Sequence, residues 1–550
     1  MTILSRWFPF LRWPRPDSRL FRGEATAGLT VAVVMIPQSV AYAGLAGMPL
    51  VTGLYATFLP ALAAVLFSAS TRLSVGPSAL SALLVSASLA GLAEPASADW
   101  VALAVWLALL AGGLQLLVGA LNAAWLLNLV SAPVLAGFSQ AAALLIIGSQ
   151  IPALFGLEGA WAGLRQGLPR ADLQALAYGL VSLALFLLAR RFTPKLPAML
   201  IVLLAAAGLS AWSGYSAHGA VVGALPSGLP APYWPAWPGW QPFSLLIAPA
   251  LVLTLVSSLE MASSAKIESQ HDGKRWDANQ DLVGQGMGKI ASALCGAFAT
   301  STSFSRSALT LYAGARTAWA TVIATAVVML VLLFFTPALS HVPRAVLAAV
   351  VVAAVSNLVK PRIFVSLWRI DRVEAVTAAV TFAVTLVTAP QIYWGVLTGV
   401  LMGLGHFLVL RLHPRIVEVG LHEDGSLRDR AAWSLPPLAP QVYALRMDAE
   451  LDFASATALE RTVVEYLAAH PEVRHLCLFA HPINRVDATG VEVFGQLRKM
   501  LAERGITLHV SGLKLPVERV LERAGALAPD PLLKTWRTDA EALQVLRSLA

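Results

Sequence analysis

The chain is short of charge. Only 13% of its 550 residues are Asp, Glu, Lys or Arg, whereas 57% are hydrophobic. A soluble globular domain carries about a quarter charged residues. The composition therefore excludes a protein that is soluble along its whole length, and it predicts that most of the chain lies in lipid.

Cysteine is almost absent as well, with Cys295 and Cys477 as the two examples. Two cysteines cannot build a disulfide framework, and each is expected to be a packed free thiol. We find no Walker motif, dinucleotide fingerprint or metal-ligand cluster in the sequence. We therefore expect no cofactor, no bound metal and no enzymatic activity. The net charge of +8 is spread over loops, so it does not indicate a nucleic-acid partner.

Long apolar runs fill the first three quarters of the chain. A transmembrane helix needs about 20 mostly apolar residues, and periodicity locates its boundaries only to within a few. The sequence predicts about fourteen segments, at 24–46, 50–69, 77–93, 100–120, 125–151, 173–190, 197–213, 245–265, 281–299, 304–314, 317–336, 342–358, 373–389 and 391–411.

The basic residues between these segments predict the orientation. Most of them fall on the side of the N-terminus: Arg12, Arg15, Arg19, Arg22, Arg72, Arg190, Arg191, Lys195, Lys266, Lys274, Arg275, Arg316, Lys360, Arg362, Arg369 and Arg372. The opposite loops hold Glu94, Asp99, Glu158 and Asp172. Because positive loops stay inside, both termini are expected in the cytoplasm of a multi-pass protein of a bacterial-type inner membrane.

One polar stretch, ATSTSFSRS at 299–307, interrupts the predicted membrane region. A charge at bilayer depth is costly, so Arg306 is by default a candidate functional residue. The apolar run that follows is long enough for a half-helix only. The start of such a helix presents unpaired backbone N–H groups and a positive dipole end, which favour an anion.

A second break, SVGPSA at 74–79, opens the third segment, as the first opens the tenth. Interrupted segments at matching places in two halves are typical of transporter sites between inverted repeats. Gly76-Pro77 has a simpler explanation, since proline is common in the first turn of a helix. The occurrence of two matched breaks favours a site.

The chain changes character after residue 412. Residues 413–437 are polar and contain proline, which predicts a linker. Over 438–550, strand-like runs alternate with amphipathic helices, which predicts a small cytoplasmic α/β domain. The sequence therefore predicts four parts: a cytoplasmic N-terminal segment (1–22), a membrane domain (23–412), the linker (413–437) and the α/β domain (438–550).

Three motifs resemble those of SulP-type sulfate permeases, an anion transporter family. They are GLTVAVVMIPQSVAYAGLAG at 28–47 with GLY at 53–55, then TSFSRSA at 302–308, and NRVDATG at 484–490, which is similar to the STAS domain of those permeases. The resemblance implies an α-helical membrane domain of two inverted seven-segment repeats, each contributing to a core and a gate domain. It also implies a homodimer that carries a small anion by moving the core against the gate.

The resemblance also implies which residues bind the anion. They are Gln38, Tyr42, Ser78, Ala79, Phe304, Ser305 and Arg306. Gln38 and Tyr42 are one helical turn apart, and both can donate to an anion without cancelling its charge. Two alternatives stay open: Gln38 bonds a neighbouring helix, or Arg306 forms a structural ion pair with Glu260.

Glu260 is an acidic residue well inside an apolar segment, the eighth. Proton-coupled members of the family have a Glu at this place, so the resemblance implies a proton-coupling role. Sodium-coupled bicarbonate members have an Asp and, one turn later, a Thr; here Ser264 follows Glu260, which disfavours sodium.

The sequence thus predicts a proton-coupled symporter of sulfate or a similar small oxyanion. A dicarboxylate or bicarbonate symporter, an anion exchanger of the same family and an uncoupled anion channel remain alternatives. A nucleobase transporter usually has carboxylates in both the eighth and tenth segments, which pair with N–H groups of the base. Here the tenth segment has Ser305 and Arg306, which favours an anion instead.

In the STAS-like motif Ala488 stands where related anti-sigma-factor antagonists carry a phosphorylated serine. We therefore expect this domain to stabilise the dimer rather than act as a phosphorylation switch.

The orientation can be tested with single cysteines. Cysteines placed at Ser227 and Ser426 should react with a membrane-impermeant maleimide from opposite faces, because an odd number of predicted segments separates the two positions. Labelling is measured on sealed vesicles of known orientation. Labelling of both positions from the same face would contradict the fourteen-segment topology.

Overall fold

The computed structural model describes residues 8–157, 172–193 and 197–549. Glu158 and Lys195, two charges used in the topology prediction, lie outside these ranges. The chain divides into two compact units, Met1–Gly403 and Leu404–Ala550.

Each of the fourteen predicted segments contains an α-helix, which confirms the predicted helical fold. In chain order these are α1 Ser18–Leu45, α2 Val51–Phe67, α3 Ala79–Leu89, α4 Ala98–Ala120, α5 Ala132–Leu154, α6 Leu173–Phe192, α7 Ala198–Trp212, α8 Ile247–Asp272, α9 Ala278–Leu294, α10 Phe304–Tyr312, α11 Trp319–Leu330, α12 Arg344–Val355, α13 Arg372–Val387 and α14 Tyr393–Leu412. Among the described residues, eight helices are long and apolar enough to cross a membrane.

Shorter elements connect these helices. They are 3₁₀ turns at Pro9–Arg12, Ala124–Leu129, Tyr215–Ala217 and Ser356–Leu358, a π-helical turn at Val331–Phe335, and short α-helices at Trp240–Leu245, Thr336–Leu339 and Arg362–Ile370. The fifth predicted segment, 125–151, is therefore not continuous. Pro133 in the first turn of α5 explains the break, because proline can begin a helix but cannot continue one.

The helix Arg362–Ile370 was not predicted. Its apolar residues recur at helical spacing, but the four basic residues within and beside it are typical of a loop between transmembrane segments. Phe364 packs edge-on against Phe382 of α13, with the ring centroids 5.5 Å apart. Trp368 on the same helix is exposed, as suits a helix at a membrane surface.

The helices of the first unit form two bundles. Helices α1–α4 and α8–α11 pack with one another, and α5–α7 pack with α12 and α13. We call these the core bundle and the gate bundle. Helix α14 joins the gate bundle, where Gly395 and Gly399 approach Thr385 and Thr381 of α13. Each bundle draws helices from both halves of the chain, which confirms the predicted architecture.

Small residues allow the helices to approach closely. A Cβ atom on Gly53 of α2 would lie 2.0 Å from the Ser39 carbonyl oxygen of α1. In the gate bundle, a Cβ atom on Gly137 of α5 would lie 2.2 Å from the Ala378 carbonyl oxygen of α13. Such contacts are the main source of helix association in lipid, where no hydrophobic force drives helices together.

The first unit contains two short strands, β1 Val75–Gly76 and β2 Ser301–Thr302. The strands of the second unit are β3 Ile416–Leu421, β4 Leu427–Asp429, β5 Val442–Met447, β6 His475–Phe479, β7 Thr507–Ser511 and β8 Leu533–Trp536. These six strands form one sheet with the order β4-β3-β5-β6-β7-β8. Strands β5 to β8 are parallel. The helices are α15 Ala456–Ala469, α16 Ala488–Glu503, α17 Leu515–Arg523 and α18 Asp539–Arg547, with a short helix at Arg430–Trp433.

The predicted linker 413–437 is not an extended connection. It contains β3 and β4, and β3 pairs antiparallel with β5 along Ile416↔Met447 to Glu418↔Leu445. The polar residues HEDGS between β3 and β4 are typical of a loop, which is why a linker was predicted. In the structure they form the turn of a β-hairpin, in which Gly425 has a φ of +82°. Pairing with an existing sheet, rather than local hydrophobicity, orders these strands.

The NRVDATG motif forms the N-terminus of α16. The Asp487 carboxylate accepts hydrogen bonds from the backbone N–H groups of Gly490, at 2.8 Å, and Phe453, at 3.0 Å. Burial alone would raise the pKa of Asp487, but these N–H groups hold it below its ordinary value. Asp487 therefore acts as a structural cap in this domain, and Ala488 follows it without a hydroxyl.

A histidine pair links three neighbouring strands. Trp536 Nε1 lies 3.2 Å from His509 Nδ1, and His509 Nε2 lies 3.3 Å from His475 Nδ1. Because an indole nitrogen can only donate, His509 Nδ1 must accept, and its Nε2–H donates to His475. This arrangement requires a neutral His509. Burial, and then the charges of His475 and Lys534, lower the pKa of His509 from 6.5 to about 4.

We predict that His509 makes the C-terminal domain less stable in acid. Since the unfolded chain binds this proton near pH 6.5 and the folded domain only near pH 4, stability should fall as pH falls between these values, by up to about 3 kcal/mol. Urea unfolding of residues 413–550 at several pH values measures this loss. His509→Gln should reduce the pH dependence, whereas His481→Gln, at an exposed histidine, should not. An unchanged slope in His509→Gln would refute the assignment.

Candidate functional site

The two predicted breaks meet inside the core bundle. Strand β1, Val75–Gly76, precedes α3, and strand β2, Ser301–Thr302, precedes α10. They pair antiparallel, with Val75 opposite Thr302 and Gly76 opposite Ser301. The Ser303 N–H also donates to the Ser74 carbonyl at 3.0 Å. The non-helical backbone at this depth is thus hydrogen-bonded within the protein, as the membrane interior requires.

The pairing places the starts of two helices next to each other. Ser78 caps α3, where its Oγ accepts from the Ser81 N–H at 3.2 Å. Helix α10 begins at Phe304 without a side-chain cap. The N–H groups of its first turn are therefore free of local side-chain acceptors, a setting that favours a bound anion.

Arg306 lies in the first turn of α10 and is 1% exposed. Its Nε donates to Ser74 Oγ at 3.3 Å and its Nη1 to Gln38 Oε1 at 3.4 Å. Its Nη2 has no hydrogen-bond partner among the described residues. A buried donor without an acceptor is costly, so a ligand oxygen at Nη2 would remove that cost. Gly76 leaves room here, because a Cβ atom on it would lie 3.4 Å from Nη2.

Glu260 of α8 accepts hydrogen bonds from a serine in each of the two breaks. Its Oε2 accepts from Ser301 Oγ at 2.5 Å and from Ser78 Oγ at 3.3 Å. Within the described ranges it forms no ion pair with Arg306, since no nitrogen–oxygen distance between them is 4.0 Å or less. The alternative of a structural Arg306–Glu260 ion pair is therefore wrong for this structure.

A cavity of about 320 Å³ lies beside the guanidinium. Its polar wall residues are Gln38, Arg190, Thr193, Ser305, Arg306 and Asn357. Gln38 Nε2 faces Met199 Sδ at 3.7 Å. Because a thioether is a weak acceptor, this amide group stays available to donate to an anion. The wall of the cavity thus includes both Gln38 and Arg306.

The predicted site residues divide into two sets. Gln38, Tyr42, Ser78, Ala79 and Arg306 are buried, and Tyr42 lies within electrostatic range of Arg306 and Glu260. Phe304 is 51% exposed and Ser305 is also exposed, although Ser305 lines the cavity. Phe304, at the start of α10, does not line this cavity.

The core bundle also contains buried polar pairs that were not predicted from the sequence. Lys289 Nζ donates to Gln115 Oε1 at 2.8 Å, and Gln285 Nε2 donates to Thr302 Oγ1 at 2.6 Å. All four side chains are fully buried. A lysine in the middle of the apolar segment 281–299 was the available signal, because an ionisable residue within the membrane is a candidate for function.

Two domain families match the chain. Residues 21–381 match the sulfate permease family, and residues 437–542 match the STAS domain. A probable sulfate transporter of Mycobacterium tuberculosis is 32% identical, over 98% of both chains. A chloroplastic sulfate transporter of Arabidopsis thaliana is 30% identical, over 94% of this chain and 79% of its own length.

Solved structures show the same fold. The murine Solute Carrier 26 family member A9 anion transporter aligns over 99% of this chain and 94% of its own, with a TM-score of 0.89 and 19% identity. The transmembrane domain of a cyanobacterial bicarbonate transporter aligns over 71% of this chain and 99% of its own, with a TM-score of 0.60 and 20% identity. The chain therefore belongs to the sulfate permease family, as a membrane anion transporter with a C-terminal STAS domain.

Proposed function

We propose that this protein is a secondary active transporter that carries sulfate, or a similar small oxyanion, together with a proton. The observation that carries the proposal is the buried Arg306, which lines a cavity of about 320 Å³ and whose Nη2 has no acceptor among the described residues. An oxyanion supplies the missing acceptor, and guanidinium groups bind such oxygens well. The names of the two relatives, both sulfate transporters, favour sulfate among the possible anions.

The anion site is built from both halves of the chain. Gln38 and Arg306 supply side-chain donors, and the uncapped start of α10 at Phe304 and Ser305 supplies backbone N–H groups. Tyr42 and the start of α3 at Ala79 complete the site. Because the dipoles of α3 and α10 both present their positive ends here, the site attracts anions before any single hydrogen bond forms.

Glu260 couples the proton to the anion in this proposal. An ionised Glu260 repels an oxyanion in the same site: two unit charges about 6 Å apart, at an effective dielectric near 20, interact by roughly 3 kcal/mol. Protonation removes this repulsion, so each ligand strengthens binding of the other. A protonated Glu260 also no longer needs both serine donors, which frees the Ser78 or Ser301 hydroxyl for the anion.

The proposal also covers the membrane location, the oligomeric state and the domain boundaries. We place the protein in a bacterial-type inner membrane with both termini in the cytoplasm, as a homodimer in which the STAS domain assists assembly. We assign 1–22 to a cytoplasmic N-terminal segment and 23–412 to transport. The 413–437 stretch belongs with the C-terminal domain, because its strands pair with that sheet. We infer transport rather than catalysis as the activity.

Replacing Glu260 tests the coupling. Glu260→Gln mimics the protonated carboxyl, so it should retain sulfate binding at neutral pH, flatten its pH dependence and abolish accumulation against a gradient. Uptake of radiolabelled sulfate into proteoliposomes, with and without an inward proton gradient, measures this. Glu94→Gln, at an exposed loop carboxylate, is the matched control. If Glu260→Gln still concentrates sulfate in response to the proton gradient, the proton takes another route; if the wild type ignores the gradient, a channel or exchanger is favoured.

Replacing Arg306 tests the anion site. Arg306→Gln should weaken sulfate binding by about ten- to a hundredfold at every pH, because it removes a charge-assisted donor and a full charge. Arg306→Lys keeps the charge without the forked donors, so it should lose less. Binding is measured by the sulfate-dependent rise in melting temperature, after the unliganded variants are shown to fold. Equal sulfate affinity in wild type and Arg306→Gln would place the site elsewhere.

A further inference from the structure

A lysine is fully buried in the core bundle, where the proposed mechanism makes no use of it. Lys289 lies on α9 and is 0% exposed. Its Nζ donates one hydrogen bond, to Gln115 Oε1 of α4 at 2.8 Å. Among the described residues, no carboxylate oxygen lies within 4.0 Å of it. An ammonium group has three donors, so a protonated Lys289 has little local compensation among these residues.

Two sets of hydrogen bonds lie between the surroundings of Lys289 and the proposed site. Gln115 Nε2 donates to Ser257 Oγ at 3.0 Å and to Ser258 Oγ at 2.8 Å, and both serines precede Glu260 on α8. One turn before Lys289, Gln285 bonds Thr302 of β2, the neighbour of the Ser301 that donates to Glu260.

The charge of Lys289 also acts on Glu260 directly. The Lys289 and Glu260 side chains lie within electrostatic range of each other. Lys289 is thus part of the electrostatics of the site without lining the cavity, whose wall does not include it.

The charges around the breaks do not balance. When Lys289 is protonated, it and Arg306 are two buried cations, and Glu260 is the carboxylate that accepts from Ser301 beside them. With Glu260 ionised this group carries one net positive charge, and with Glu260 protonated it carries two. Buried charge is costly unless it is compensated. A ligand with two negative charges compensates the protonated group fully, whereas a ligand with one leaves a positive charge unpaired.

We propose that Lys289 is a positioning charge that sets the valence of the transported anion, so that the site with Glu260 protonated prefers a divalent oxyanion over a monovalent one. The inference rests on the proposed anion site and names its substrate class. Its physical basis is that a Coulomb energy scales with the charge of the ligand, so the contribution of Lys289 is twice as large for a dianion.

The test compares two tetrahedral oxyanions of different charge, sulfate and perchlorate. Affinities are measured on the full chain in lipid nanodiscs, by direct sulfate binding and by perchlorate competition. With the ammonium and the anion roughly 12 Å apart at an effective dielectric near 20, Lys289→Met should weaken sulfate about a hundredfold and perchlorate about tenfold. Lys289→Arg keeps the charge. Its affinities for both anions should stay close to those of the wild type, or at least keep the same ratio of sulfate to perchlorate affinity.

Lys266→Met, at an exposed lysine of α8, is the matched control and should change neither affinity. An equal loss for sulfate and perchlorate in Lys289→Met would indicate a packing defect and overturn the proposal, as would an unchanged sulfate affinity. The measurement uses binding rather than flux. A wild type that binds no sulfate would therefore refute the proposed function, whereas a wild type that binds sulfate with an unaltered selectivity in Lys289→Met would refute this inference alone.

Discussion

The arrangement of the membrane unit depends on one short antiparallel pairing, between Val75-Gly76 and Ser301-Thr302. A chain that leaves the helical conformation within a bilayer must satisfy its backbone polar groups inside the protein. Each break supplies hydrogen-bond partners to the backbone of the other. The pairing fixes where α3 and α10 begin, and so where their positive dipole ends meet. Gln38, Glu260 and Arg306 are then placed around a point that belongs to both halves of the chain.

Hydroxyl groups hold the charges of this site apart. Ser78 and Ser301 bind the Glu260 carboxylate, while Ser74 and Gln38 bind the Arg306 guanidinium. A direct ion pair would lock the two charges together and leave neither available. Because a hydroxyl both donates and accepts, it can exchange one partner for another at low cost, as the proposed binding of a proton and an anion requires. The many serines and threonines at this depth thus have a physical role.

The C-terminal domain gives a contrasting case, in which polar groups serve structure. Asp487 caps α16 with its carboxylate, and the hydrogen bonds from Trp536 to His509 and from His509 to His475 tie β8, β7 and β6 together. Asp487 of the STAS motif therefore contributes to the local stability of this domain. Ala488, the residue after the cap, offers no hydroxyl for a phosphate.

The sequence by itself determined the membrane class, the fourteen helical segments, the two breaks and the family. These features depend on hydropathy and on short contiguous motifs, which are local properties of the chain. Tertiary structure alone decided that Glu260 bonds Ser78 and Ser301 rather than Arg306, that Lys289 joins Gln115, that Phe304 is exposed, and that β3 and β4 extend a sheet. Hydropathy reports which residues leave water, but not which distant residue each one meets. Those partners are set only when helices far apart in the chain pack together.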